Sequence, residues 1–282
     1  MSVPSPDNPT PAAAVLTPPC PEAPGERIHW GRLYGASVPL AIASAAARHP
    51  GLLLVIAPDV QRATALEREL AFFLDAEQVP VLQFPDWETL PYDVFSPLPE
   101  LVSQRLLTLH RLGGLKQGVL IVPVGTLLQR LPPRSYLDAR SFILDVGQRL
   151  NMDDTRRRLE RAGYSCVSQV MGHGELAVRG SLLDIFPMGS DLPYRIDLFD
   201  EEIDSIRTFD PETQRSLDKV EQVRLLPARE TPLDEASIAR FRQAYRTAFE
   251  GDPQRSPIYR EVSAGNAPGG VEYYLPLFFE TT

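Results

Sequence analysis

The 282-residue sequence predicts an α/β protein: a parallel-sheet domain covered by helices and interrupted by an α+β module of antiparallel strands. Three observations predict it. From Ile28 to Val124, short continuous apolar runs alternate with segments of helical spacing, the pattern of strands joined by crossover helices. Beyond Ser141 the apolar residues alternate one by one between short acidic turns, as in antiparallel strands with one wet face. From about Ala228 the helical spacing returns.

Taken in order, residues 1–25 hold eight prolines and no apolar periodicity. Proline removes a donor and fixes φ, so neither helix nor sheet propagates there. This stretch reads as a disordered tail. It has neither the basic start nor the compact apolar core of a signal peptide, and Cys20 within it reads as a free thiol without a role. Leu52–Pro58 (LLLVIAP) suits a strand buried on both faces. Val60–Leu74 carries Ala63, Leu66, Leu70 and Phe73 at helical spacing behind Asp59, a candidate N-cap. Val79–Pro85 is a second strand. Glu100–Leu112 is a helix with Leu106, Leu109 and Leu112 on its apolar side, and Val119–Val124 is a third, buried strand. SFILDVG and a helix over Met152–Ala162 open the second module. Its alternating strands are ELAVRGSLLDIFPMG, PYRIDLFDEEIDSIRTFD and EQVRLLPA. Pro232–Phe249 is helical. The closing VEYYLPLFFETT is apolar and then stops, which predicts further polypeptide beyond it.

Composition narrows the function. The chain carries 28 Lys+Arg against 37 Asp+Glu, a net charge of −9, which disfavours coating nucleic acid by bulk charge. Its longest apolar runs, Leu40–Ala47 and Leu52–Ala57, fall well short of the roughly 18 residues of a membrane span. Two cysteines exclude a disulfide framework and a Cys-rich metal site. Lys116 and Lys219 are the only lysines, so cationic contacts here fall to planar, forked guanidinium groups.

Catalytic motifs are missing. No GxxxxGK[ST] occurs. Gly31–Ser37 stands where a phosphate loop would, ahead of the helix Val38–Ala47, but lacks its lysine and a Ser/Thr in register for magnesium. His29, His49, His110 and His173 are scattered without ligand spacing. His173 reads as a turn residue, and Asp200-Glu201-Glu202 as a hairpin turn rather than a catalytic carboxylate pair. No catalytic residue, cofactor or metal ligand is assigned. The run Arg156-Arg157-Arg158 reads as a solvated helix face.

One anomaly remains. In Tyr194–Phe199, Ile196 and Leu198 mark the core face, which sets Arg195, Asp197 and Phe199 on the outer one. An aromatic beside an arginine on a face that should be wet marks a binding surface. The neighbouring strand, read as Ala177–Phe186, adds Arg179 next to Gly180, whose bare backbone admits close approach. Each residue has a structural alternative: Phe199 tucked under the hairpin end, and the arginines paired with Asp197 or the acidic turn.

These residues carry a resemblance. Arg179–Asp210 (RGSLLDIFPMGSDLPYRIDLFDEEIDSIRTFD) resembles the second domain of the bacterial transcription-repair coupling factors (Mfd), which is itself similar to the UvrA-binding domain of UvrB. DWETLPYDVFSP, GVLIVPVGTLLQR and HGELAVRGSLLDIFP resemble the amino-terminal region of that family in the same order, over residues 28–280. The resemblance implies a degenerate helicase-like (RecA/UvrB-like) α/β domain over residues 26–140, a UvrA-binding-type module over 141–227, and a truncated return to the α/β domain over 228–282. It implies UvrA contact at Arg179, Arg195 and Phe199, in a cytoplasmic protein with no membrane association. In UvrB the position of Gly31–Ser37 holds a working Walker motif. UvrB also carries a long DNA-inserting hairpin where only Leu98–Val102 stand here, too few residues for it. RNA polymerase, DNA and ATP engage the full-length family through domains beyond this chain, including an ATP-dependent translocase motor. In the full-length family the UvrA surface can be masked by the carboxy-terminal domain, and here it would stand open. The expectation is a non-catalytic adaptor recruiting UvrA to stalled RNA polymerase. The rivals are an ATP-dependent UvrB-like helicase fragment and a direct DNA-binding module.

Overall fold

A computed structural model describes residues 15–281, so the expected disorder of residues 1–14 lies outside the described residues. These form two compact units: one runs to Asp86 and includes Gly114–Leu128, the other comprises Trp87–Gly113 and the chain from Gln129 onward. Parallel and antiparallel sheets both occur, in a mixed α/β architecture.

The first unit is built on three parallel strands, β1 (Leu52–Ala57), β2 (Val81–Gln83) and β3 (Gly118–Pro123), in the order β1-β3-β2. Helices α1 (Ser37–Arg48) and α2 (Val60–Phe73) pack on it. Alanines 43, 46 and 63 let the helices approach closely, and Leu66, Leu70, Val119 and Ile121 fill the core. Helix α2 starts where its cap predicts, with the Asp59 carboxylate accepting from the Arg62 N–H at 2.7 Å. Pro18 and Pro19 are held within this unit: the Trp30 Nε1–H donates to the Pro19 carbonyl at 2.8 Å and Arg48 to that of Pro18 at 2.7 Å. The described end of the proline-rich stretch is therefore fastened at these two carbonyls.

Two expectations for the sheet are corrected. Strand β1 is not buried on both faces, because only Leu53, Val55 and Ala57 turn toward the helices. Leu52, Leu54 and Ile56 are 38, 48 and 55% exposed. Helix α3 (Pro99–Leu112), which follows β2 in the crossover pattern, is not part of this unit. It belongs to the second unit, where Leu106 enters the core and Ser103 Oγ accepts from the Gly189 N–H at 2.8 Å.

That second unit holds α4 (Arg134–Arg140), β4 (Phe142–Asp145), α5 (Met152–Arg161) and β5 (Ser165–Cys166). Strands β6 (Glu175–Arg179), β7 (Leu182–Ile185), β8 (Tyr194–Phe199), β9 (Glu202–Phe209), β10 (Ser216–Val220) and β11 (Gln222–Leu225) follow. Six of these strands form one sheet in the order β10-β9-β8-β7-β6-β5, antiparallel except for the short β5–β6 pair, while β4 pairs with β11 separately. The segment expected as one strand, Ala177–Phe186, is a hairpin. Gly180 takes φ +62° at its turn, a left-handed conformation that glycine adopts without a Cβ clash. Under the sheet, Leu176, Leu183, Ile185, Ile196 and Ile206 share a core with Leu106, Leu144, Leu159 and Leu225.

Helices α6 (Glu235–Ala248) and α7 (Pro257–Ser263) follow, then a 3₁₀ segment, Val271–Leu277. Phe241, Tyr245, Tyr259, Val262, Val271 and Phe278 form their core. The apolar closing segment is thus a packed element of the second unit.

The same unit encloses a buried ion pair. Arg105 is fully buried and donates to Glu230 through Nε at 2.5 Å and Nη2 at 3.2 Å, and to Gln129 through Nη1 at 2.9 Å. Its guanidinium lies 4.6 Å from the centroid of the Trp87 ring, and Trp87 Nε1–H donates to Glu230 at 3.3 Å.

Candidate functional site

Two of the three singled-out residues, Arg179 and Arg195, meet on the outer face of the six-stranded sheet around a carboxylate that sequence reasoning missed, and Phe199 ends the strand that carries Arg195. Asp184 lies at the centre of β7, directly across from Arg195 on β8 and from Ala177 on β6, with Arg179 two residues beyond Ala177. Asp184 is fully buried. Its Oδ1 accepts from Arg195 Nε at 2.8 Å, and its Oδ2 from Arg195 Nη2 at 2.9 Å and from Arg179 Nη2. The arginines therefore pair with Asp184, not with Asp197 or the acidic turn. A buried carboxylate is costly unless charged partners and hydrogen bonds replace its water; three charge-assisted bonds do so here.

Arg195 is the more completely engaged. Its Nη1 donates to the Gln214 carbonyl at 3.1 Å and to Ser216 Oγ at 3.4 Å, and its guanidinium lies 4.8 Å from the centroid of Phe209. The Asp184 hydrogen bond raises its pKa above the ordinary arginine value. Gln214 is held in turn: its side-chain amide donates to the Val170 carbonyl at 3.0 Å, and the Asp210 carboxylate caps the turn by accepting from the Thr213 N–H at 2.7 Å. Those turn bonds, the Thr213 N–H first, hold the Asp210 carboxyl below the usual range.

The outer face is not uniformly wet. Val170, Ala177, Phe186 and Phe209 form a small buried cluster on it, which is why a charge at Asp184 can be sealed from water. Farther along, Arg207 stands across from Arg195, and Lys219 across from Arg207, which aligns three cations over β8, β9 and β10. Arg207 Nε is buried with no hydrogen-bond partner among the described residues. Like charges in direct register repel, and of the three Arg195 is paired with Asp184. The register predicts that row once β8, β9 and β10 are paired; strand spacing alone does not.

Phe199 ends β8 across from Glu202, just before Asp200 takes φ +59° at the hairpin turn. A bulge between Asp197 and Leu198 precedes it, a device that re-aims side chains. The ring is 80% exposed, so it does not tuck under the hairpin. Arg179 is about half exposed, with one guanidinium nitrogen on Asp184 and the rest of the fork facing outward.

The remaining candidates resolve into local structure. In the Gly31–Ser37 loop the Ser37 hydroxyl donates to the Tyr34 carbonyl at 2.7 Å. His173 Nε2 meets the Ser190 carbonyl at 2.8 Å, and its ring lies 4.1 Å from that of Phe186. Arg156 pairs with Glu160 and Arg157 with Asp154 along α5, while Arg158 lies over the Phe142 ring. Glu201, in the acidic turn, pairs with Arg149. Among the described residues no three His, Cys, Asp or Glu side chains are grouped to hold a metal, and no helix is long and apolar enough to cross a membrane.

The arginine face lies within residues 142–230, which match the family model of the UvrB interaction domain. Most of the chain is also similar to transcription-repair-coupling factors. It is 50% identical to that of Escherichia coli (strain K12) over 255 residues, 90% of this chain and 22% of the relative. It is 45% identical to that of Haemophilus influenzae (strain ATCC 51907 / DSM 11121 / KW20 / Rd) over 268 residues, 94% of this chain and 23% of the relative. With that of Myxococcus xanthus it shares 36% identity over 267 residues, 91% of this chain and 22% of the relative. The chain thus spans about a fifth of the length of these curated relatives.

Proposed function

We propose that this chain is the UvrA-recruiting amino-terminal part of a transcription-repair-coupling factor, an adaptor that docks UvrA through Arg179, Arg195 and Phe199. The observation that carries it is an 80% exposed phenylalanine at the end of the strand that carries Arg195, with Arg179 and Arg195 clustered on Asp184, inside the segment similar to the UvrB interaction domain. A large aromatic held in water beside forked cations suits an interface anchor with charge-assisted partners. The similarity over 90% of the chain supports the same reading. In this proposal residues 26–140 are a degenerate helicase-like domain without ATPase activity, 141–227 the docking module and 228–282 the returning segment. RNA polymerase, DNA and ATP are engaged by the remainder of a longer cytoplasmic protein.

The test is binding of purified UvrA to the wild-type chain and to an Arg179→Ala/Arg195→Ala/Phe199→Ala variant whose circular dichroism is unchanged. The expected loss is about a hundredfold in affinity. Equal affinities would reject the reading.

A further inference from the structure

The three residues of the docking face are not equivalent in the structure. Four of the five Arg195 N–H groups are taken by Asp184, the Gln214 carbonyl and Ser216, and its side chain is only one-fifth exposed. Arg179 gives one donor to the same carboxylate and is half exposed. Asp184 itself touches no solvent and sits on a central strand, so it meets no partner directly. Two arginines share this one carboxylate, so its charge is balanced and a guanidinium is left over.

We propose that Asp184 is the positioning residue of this face. It locks the fork of Arg195 as an anchor and restrains Arg179 by one bond, so that the outward donors of Arg179 and the ring of Phe199 are presented in fixed geometry to carboxylates of the partner. The inference rests on the docking function proposed above. Ordering a long arginine side chain before binding removes that entropy cost from association. The part of Arg195 in the docking proposed above is then indirect: with four of its N–H groups committed, it contributes mainly by anchoring Asp184 and so Arg179.

Asp184→Asn keeps the shape and removes the charge. In the 282-residue chain, the Nε–H resonance of Arg195 is expected to be protected from exchange in the wild type. In the variant it should move to the position of a solvated arginine, while the methyl resonances of Leu183, Ile185 and Ile196 stay in place. UvrA affinity should fall about tenfold in the variant. Introduced into Arg179→Ala/Arg195→Ala, the same substitution should change affinity less than twofold. A tenfold loss persisting in that background means that Asp184 supports the fold and not the arginines, which overturns the proposal. An unmoved Arg195 signal overturns it whatever the affinities. If removing both arginines leaves UvrA binding intact, the docking reading itself fails, a result separate from the spectroscopic one. Should Asp184→Asn not fold, Arg195→Lys keeps the charge but lacks the fork. A severalfold loss of affinity that vanishes in an Arg179→Ala background then supports the anchor role, and unchanged affinity, or a loss that persists in that background, rejects it.

Discussion

Replacing Glu230 with alanine tests whether one buried ion pair holds the second unit together. Its carboxylate accepts two bonds from the fully buried Arg105 guanidinium and one from Trp87 Nε1–H. Without it the guanidinium loses two charge-assisted bonds and the charge of that carboxylate, in a site that water does not reach. Breaking a buried pair from one side costs about 3–5 kcal/mol, and the orphaned indole N–H adds about 1 kcal/mol. With a urea slope of about 2 kcal/mol/M, the midpoint should drop by roughly 2–3 M. The chain has two tryptophans. In a Trp30→Phe background the fluorescence of Trp87 therefore follows this unit alone. Arg105→Met/Glu230→Leu removes both charges together and should cost only about 1–2 kcal/mol, because the desolvation of both ions disappears with them. A loss below about 1 kcal/mol for Glu230→Ala, or a double variant that costs the sum of the two single ones, would refute the reasoning.

Three further outcomes follow from local geometry. Gly270 takes φ +81°, and a Cβ there would lie 2.4 Å from the Asp93 carbonyl oxygen, whereas a Cβ on Gly180, at φ +62°, meets open space. Gly270→Ala should therefore cost about 3 kcal/mol and Gly180→Ala about 1 kcal/mol in urea titrations, since only the first adds a backbone clash to left-handed strain; equal costs would contradict this. Desolvation pushes the Glu272 carboxyl above its usual range, and its Oε2 has no hydrogen-bond partner among the described residues. A raised carboxyl pKa penalises the folded state above that pKa and relieves it as pH falls toward the unfolded value. Glu272→Gln should thus be more stable than wild type at pH 8, with the gain shrinking toward pH 4. A gain equal at both pH values would reject that cause. In the first unit, Asp59→Ala removes the cap of α2 and should cost about 1 kcal/mol, measured in the same way with Trp30 as the reporter in a Trp87→Phe background.

What could be read along the chain was local. Asp59 before a helical apolar spacing, proline at the end of Leu52–Pro58, and alternation through Tyr194–Phe199 each place an element within a residue or two. They do so because capping, turn chemistry and side-chain alternation act over a few residues. Alternation also put Arg195 and Phe199 on one face before any contact was known. Arg105, four residues before Leu109, already lay on the apolar side of its helix, a sign that it would need a buried partner.

Which residue answers each of these was decided in three dimensions. Glu230 is 125 positions from Arg105, and the carboxylate that holds Arg179 and Arg195 is Asp184, on a strand whose pairing sets it between them. Strand spacing marked β1 as buried and α3 as the covering helix of its sheet, yet β1 keeps one open face and α3 packs in the other unit. The sequence by itself determined most of the elements and which side chains share a strand face, Arg195 and Phe199 among them. Only the tertiary structure decided which faces became core and which charges were neutralised, because burial and ion pairing are settled between segments far apart in the chain that compete to leave water.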